Sequence, residues 1–448
     1  MIKQLLVNNL KGIKRQLKEV PEFYRAAQAW FIDGKVTEMP EKVGDELSFK
    51  IRVYDETLSL FPVDVVTPPG EHYMTTFFDV NPISPDGDRL CVTKVPFIKR
   101  IPIPGDLASV CVINLNAGSC KTVYQTVGWG AQLGANVQWL DDETVVCNDV
   151  IDGVARGVRV NTLTLKYKVL DGPIYGLDVD KRFSYSGNLE MVNAIIPGYG
   201  VPDPIFGKTR QVDKISSTEG IWKTDLENGE SKLFLSMEHI VSKLPMQKSV
   251  KGGTYYIFNT KVSADGAKIF SVLFSRNIPL RAGWAVQLVT MDIDGSNVKL
   301  AMPDKLWCKG GHHPNWCSSN GDLIMNLKLD GKNMEFVKFD ASGENVRSIA
   351  NGLKGSGHPS ISPDGRYLLT DAYVKDGFTD ESGLVPIRLI DLKDDNEIEI
   401  CRIFTNKLDG PRRVDPHPVW IDGGKKVAFN AVIDGFRQVL IADLSRLY

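Results

Sequence analysis

Between Asn81 and Gly423 one short pattern comes round seven times: an apolar run that ends in a tight Asp, Asn or Gly turn. The copies are Asn81–Gly87, Val137–Asp142, Gly176–Lys181, Val262–Gly266, Asn315–Gly321, Ile361–Gly365 and Val419–Gly423. Runs of this kind, bounded by turn residues, read as strands. Each is followed by further β-rich sequence, with outer hairpins opening at Ser109, Gly157, Gly220, Val286, Met334 and Ile387. A four-stranded unit recurring every 40 to 60 residues or so buries its faces only by stacking on copies of itself, and seven such units make a ring. The fold class read from the chain is therefore all-β, a seven-bladed β-propeller. The last unit ends at the C-terminus in QVLIADLSRLY and lacks an outermost strand. A spare segment within Leu47–Val66 can supply it, which closes the ring and removes its free sheet edges.

Ahead of the ring, residues 1–33 have helical spacing, with Leu5, Leu6, Leu10, Ile13 and Leu17 on one side and Lys3, Lys11, Lys14, Arg15 and Lys18 around them. The domain reading is a helical extension over residues 1–45 and the propeller over 46–448. The helix is expected to cap the body of the protein, with a homodimer contact or a membrane surface as the other uses of such a helix. In the third unit, residues 189–219 form a long insertion whose Tyr199, Lys208 and Arg210 could reach a ligand over the top of the ring.

Composition narrows the function classes. A net charge of -2 leaves no electrostatic footprint for nucleic acid. No apolar stretch is long enough for a bilayer-spanning helix. Seven cysteines without paired local spacing suit reduced thiols and a cytoplasmic setting. Cys308 and Cys317 flank a double histidine but lack the spacing of a zinc finger. No nucleophile elbow, phosphate-binding loop or dinucleotide fingerprint is present.

The chain has six histidines, and three of them stand before proline at one place in three units: His313-Pro314, His358-Pro359 and His417-Pro418. A proline at the start of a strand explains any one such pair. Three in register converge on the axis of a ring, where imidazoles make a metal or catalytic site. His72 precedes the first unit's inner strand and could line the same funnel. Tyr255 precedes the fourth unit's inner strand, where an aromatic could stack on a sugar, although a packed strand aromatic is the plainer reading.

The segments Gly-His-His-Pro-Asn-Trp at 311–316, Gly-His-Pro-Ser-Ile-Ser-Pro-Asp-Gly at 357–365 and Arg-Val-Asp-Pro-His-Pro at 413–418 resemble the oligogalacturonate lyases. Those enzymes are seven-bladed propellers that cleave short uronic acid oligomers by β-elimination around a divalent metal in the central funnel. The resemblance implies a carbon-oxygen lyase acting on an acidic oligosaccharide, with His358 and His417 as metal ligands. It implies His313, or its neighbour His312, as the proton-abstracting base, and Arg281 as the assisting arginine. Where the family carries a further His, this chain has Asp415, and Arg412 and Arg413 stand near its Gln position. The expected ligand set is thus His358, Asp415 and His417, for Mn²⁺ first and Ca²⁺ or Zn²⁺ as alternatives. Arg412 and Arg413 could instead grip a substrate carboxylate. Two other readings stay open: a propeller that only binds a glycan or protein, and a glycoside hydrolase using two carboxylates from Asp79, Asp371 and Asp415.

Overall fold

The computed structural model describes residues 39, 41–203, 214–245, 253–277, 282–317, 321–406, 408 and 410–448. Seven antiparallel sheets follow one another around a ring. Blades 2 to 6 are four-stranded and sequential, with inner strands Gln138–Trp139, Gly176–Leu177, Thr254–Val262, Gly311–Trp316 and Ser360–Ile361. Blade 1 runs outward from His72–Met74, and blade 7 from Val419–Ile421. Every turn picked out in the sequence joins an inner strand to the strand after it, because alternation and turn chemistry are local signals.

The closing strand lies where the sequence left one spare. Val63–Val65 pairs antiparallel with Phe436–Asp443, setting Val63 opposite Ala442 and Val65 opposite Leu440. The same N-terminal stretch adds two more short strands: Arg52–Val53 outside Val63–Val65 on blade 7, and Glu46–Ser48 on the rim of blade 1. The N-terminal segment therefore clasps both blades at the seam. Val63 and Val65 are buried against Leu389, Phe429 and Leu440. Truncating both to alanine removes four buried carbons, an expected loss on the order of 3 kcal/mol at ~0.8 kcal/mol per carbon. Chemical denaturation of the V63A/V65A double variant checks it, and an unchanged midpoint would mean that the closure adds nothing.

Middle strands are buried on both faces because each blade is sandwiched between two others. Leu323–Leu327 and Val385–Asp391 are buried throughout, whereas the outermost strand of blade 2, Tyr167–Val169, is exposed. The predicted N-terminal helix lies outside the described residues. Three short helices do appear among them, Leu189–Ile195, Met237–Lys243 and Asp304–Trp307. His239 falls in the second of these, on its exposed side.

One irregularity positions the site. On the inner strands of blades 4 and 5 the ladder skips, between Phe258 and Lys261 and between His312 and Asn315. The residue in each skip has left-handed backbone, Asn259 at φ 55° and His313 at φ 55°, and Asn136 (φ 53°) and His417 (φ 46°) hold the same conformation ahead of the inner strands of blades 2 and 7. Asparagine takes that conformation readily, and histidine less so. Prolines 314 and 418 come next, where a broken ladder needs no N–H.

Candidate metal and catalytic centre

The three His-Pro histidines meet. The His313 and His358 rings stack at 3.9 Å between centroids, and His358 meets His417 edge-on at 4.4 Å. Beneath them Phe77 and Phe78, which follow the inner strand of blade 1, form an apolar floor, with Phe77 4.7 Å from the His417 ring and Phe78 5.1 Å from His358. His358 and His417 are fully buried.

His358 is oriented by a carboxylate. His358 Nδ1 lies 2.9 and 3.0 Å from the two oxygens of Asp371, and the His358 backbone N–H donates to the same carboxylate at 2.7 Å. A carboxylate only accepts, so Nδ1 carries the proton and Nε2 presents its lone pair. That Nε2 is buried with no hydrogen-bond partner, as are both nitrogens of His417. Orphaned buried nitrogens of this kind call for an explanation such as an ion. Ligand atoms of His358, Asp415 and His417 all lie within 4.8 Å of one another. Two imidazoles and a carboxylate, one imidazole backed by its own carboxylate, fit a transition-type divalent cation. Gly357 keeps the dyad tight: its φ is 68°, and a Cβ there would collide with Asp371.

His313 is set apart from the ligand group by its bonding. Its Nδ1 is 2.9 Å from the Gly357 carbonyl, which can only accept, so Nδ1 carries the proton and Nε2 is the basic atom. The same Nδ1 lies 2.9 Å from His312 Nδ1, and Asn326 braces both by donating to the Gly357 carbonyl at 2.8 Å and to His312 Nδ1 at 3.3 Å. The Tyr373 hydroxyl is 3.4 Å from His313 Nε2. Burial, then the neighbouring His358, pushes the His313 pKa well below its ordinary value, and His312 falls to about 3 for the same reasons. These imidazoles are neutral, as a proton acceptor must be.

A cavity of about 1180 Å³ opens over the cluster, walled by blades 5 to 7 and lined by His312, His313, Tyr373, Arg413 and Asp415. Four lysines, Lys328, Lys332, Lys354 and Lys375, line it as well, against Glu335 and Asp376. Its wall is cationic in a chain whose net charge is -2, which favours an anionic ligand.

The other sequence candidates divide. Arg413 is in the cavity wall, with its fork engaged: Nε donates to both Asp415 oxygens at 2.8 Å, Nη1 to the Gly410 carbonyl at 3.0 Å and Nη2 to the Tyr199 hydroxyl at 2.9 Å. Tyr199 thus reaches the site from the insertion, while Lys208, Arg210 and Arg281 lie outside the described residues. Arg412 sits in the turn Gly410–Arg412, and its carbonyl accepts from Asn406. Tyr255 is half-buried against the apolar cluster of Tyr185, Ile221 and Met237 rather than in the cavity, because an inner-strand side chain faces the adjoining blade. Neither cysteine beside the double histidine joins the ligand group; Cys308 is exposed and Cys317 buried.

His72 lies at the seam instead of in the cluster, accepting the Arg437 backbone N–H on Nδ1 at 3.1 Å beside Phe436. Burial, then Arg437 and Lys99, lowers its pKa from 6.5 to about 4. The unfolded chain binds this proton first, so stability is full above pH 6.5 and is lost as the pH falls toward 4. A melting series over that window should show a shallower decline for His72→Gln than for the wild type, and parallel declines would acquit His72.

Tyr373, Asn326 and the two phenylalanines carry no signal for this site in the sequence, and Asp371 enters there only as a carboxylate of the hydrolase reading. Asp371 reaches His358 and Asn326 reaches His312 across a hairpin within their own blades, and Tyr373 reaches His313 from the next blade.

Searched by sequence, the chain matches no family model and no curated protein. Among solved structures it is similar to an oligogalacturonate lyase in complex with manganese, with a TM-score of 0.62 and 15% identity over 90% of this chain and 98% of that one. It is similar too to an oligogalacturonate lyase from Vibrio parahaemolyticus, with a TM-score of 0.60 and 14% identity over the same shares. The resemblance of the His-Pro segments is thus matched by a likeness of fold over 90% of the chain. Among the described residues no helix is long and apolar enough to cross a membrane.

Proposed function

We propose that this protein is a polysaccharide lyase that cleaves an acidic, uronic acid-containing oligosaccharide by metal-assisted β-elimination. One observation carries the reading: buried, unpartnered nitrogens of His358 and His417 stand beside Asp415, next to a neutral His313, under a cationic cavity.

The difficulty in such a reaction is the proton on C5, which is only weakly acidic because the adjacent carboxylate resists further negative charge. A divalent cation held by His358, Asp415 and His417 would supply the positive charge that stabilises the developing enolate. Mn²⁺ is the first candidate, in keeping with the manganese of the similar lyase. His313 then takes the proton on Nε2, with the Gly357 carbonyl holding its ring through Nδ1. Asp371 fixes the tautomer and orientation of His358. The wall lysines draw the polyanion in and offset its remaining charge. Seven unpaired thiols suit a reducing compartment, and we place the enzyme in the cytoplasm.

Less favours the alternatives. A hydrolase needs two carboxylates free to act as acid and base, and here Asp371 is engaged by His358, Asp415 by Arg413 and Asp79 by Lys261. A propeller that only binds has no use for a tautomer-fixed base beside a ligand group. The test is ultraviolet absorbance of the conjugated product on a panel of uronic acid oligosaccharides, with Mn²⁺, Ca²⁺, Zn²⁺ or EDTA. A rise that EDTA abolishes supports the proposal. A rise indifferent to EDTA would move carboxylate neutralisation to Arg412 and Arg413, and a flat trace across the panel would count for the binding propeller.

A further inference from the structure

Elimination needs an acid as well as a base. When the C5 proton leaves, its electron pair forms the C4–C5 double bond and the C4–O bond breaks, so the departing oxygen must receive a proton. The resemblance implies Arg281 as an assisting arginine, but a guanidinium does not give up its proton in a protein. The acid must line the cavity, lie within reach of the atom next to C5, and be reloaded after each turnover.

Tyr373 meets all three conditions. It lines the cavity with His313, and its hydroxyl is 3.4 Å from each of the two ring nitrogens of His313. Since His313 Nδ1 is committed to the Gly357 carbonyl, Nε2 is the ring atom able to accept from that hydroxyl. The distance is long for a hydrogen bond, as acid–base contacts often are before substrate is bound. The ring is fixed by the Arg413 guanidinium 5.3 Å from its centroid and by its backbone N–H donating to Ser356 at 3.1 Å. The Tyr199 hydroxyl accepts from Arg413 at 2.9 Å and is not among the residues lining the cavity.

We propose that Tyr373 is the general acid of this elimination, an assignment that rests on the lyase reading above. His313 Nε2 takes the C5 proton while the Tyr373 hydroxyl protonates the leaving oxygen. The resulting imidazolium then returns its proton to the tyrosinate across the contact the two side chains already make. The cycle balances: one proton leaves carbon, one arrives on oxygen, and no co-reactant is used. An acid and a base in contact act on one face of the sugar ring, so the elimination is syn. That geometry suits uronic acids whose C4 oxygen is equatorial, as in the gluco and manno series. In the galacto series the axial oxygen lies anti to the C5 proton and would need its acid on the opposite wall.

The test compares two leaving groups on a gluco-configured uronoside with wild type and Tyr373→Phe, manganese-loaded: a sugar alkoxide, which needs protonation, and a dinitrophenyl ether at the same carbon, which does not. Tyr373→Phe should lower kcat on the sugar substrate at least about a hundredfold and leave the dinitrophenyl substrate within severalfold of wild type. A phenyl ring that merely filled space would lower both alike or neither, and either result overturns the assignment while leaving the lyase reading intact. Wild-type elimination confined to galacto-configured substrates also overturns it. A wild type that eliminates neither leaving group in any series defeats the underlying reading, and this one with it.

Discussion

Replacing His313 by asparagine should slow the elimination by about 10² to 10⁴ while leaving the fold in place. Asparagine is the substitution to make because the ring itself has tried it. Asn136 and Asn259 hold the corresponding left-handed conformation in blades 2 and 4, at φ 53° and 55°, beside φ 55° for His313. Asn136 even makes the equivalent contact, its amide donating to the Ile174 carbonyl at 3.0 Å where His313 donates to that of Gly357. The variant therefore keeps the backbone and the tie to the next blade, and loses the basic Nε2 together with the ring stacked on His358. Alanine would fit less well, since it lacks both the tie and the local preference for that backbone. The check is kcat with manganese in excess, alongside a melting curve. A variant that melts like the wild type and turns over within severalfold of it would remove His313 from the base role.

Asp371→Asn should weaken Mn²⁺ binding about 10- to 100-fold, the usual cost of losing the partner that orients a ligating histidine. The carboxylate contacts His358 Nδ1 through both oxygens and accepts the His358 backbone N–H as well. One carboxylate oxygen serves both the backbone N–H and Nδ1, and an amide oxygen can stand in for it. The amide NH₂ then replaces the second oxygen 3.0 Å from Nδ1, where it opposes the Nδ1 proton and disfavours the tautomer that leaves Nε2 free for the metal. His358→Ala removes the ligand outright and should bind more weakly still. Calorimetric titration with Mn²⁺ reads both. Affinity in Asp371→Asn equal to wild type would mean that His358 Nε2 is not a ligand, and the buried lone pair would then need another explanation.

How far the sequence revealed this site follows from how far each signal travels along the chain. Turn residues and strand alternation act within a few positions, so all seven inner turns and the closing segment were readable before any coordinates. The His-Pro pairs are readable for the same reason, and the structure adds a cause for two of them: His313, in a ladder skip, and His417, ahead of its strand, hold left-handed backbone where the following proline needs no ladder N–H. Asp371 was visible only as a spare carboxylate. Its partner is 13 residues away across a hairpin, and no local pattern marks such a pair. Tyr373 is hidden likewise, 60 residues from His313 and one blade over. For Tyr255 the plainer reading holds over the sugar platform, because blades pack face to face and take inner-strand aromatics between them. The insertion read as a loop holds the helix Leu189–Ile195, whose Leu189, Met191, Val192 and Ile195 are buried, and it carries Tyr199 to Arg413.

The most direct test of the central claim is the mass of the products formed from a defined uronic acid oligosaccharide by the manganese-loaded protein. Elimination splits the chain without adding water, so the two fragments sum to the substrate and one of them carries a double bond. That is the expected result, and EDTA should prevent it. Fragments that together exceed the substrate by one water would show hydrolysis and contradict the assignment of His313 as a carbon base.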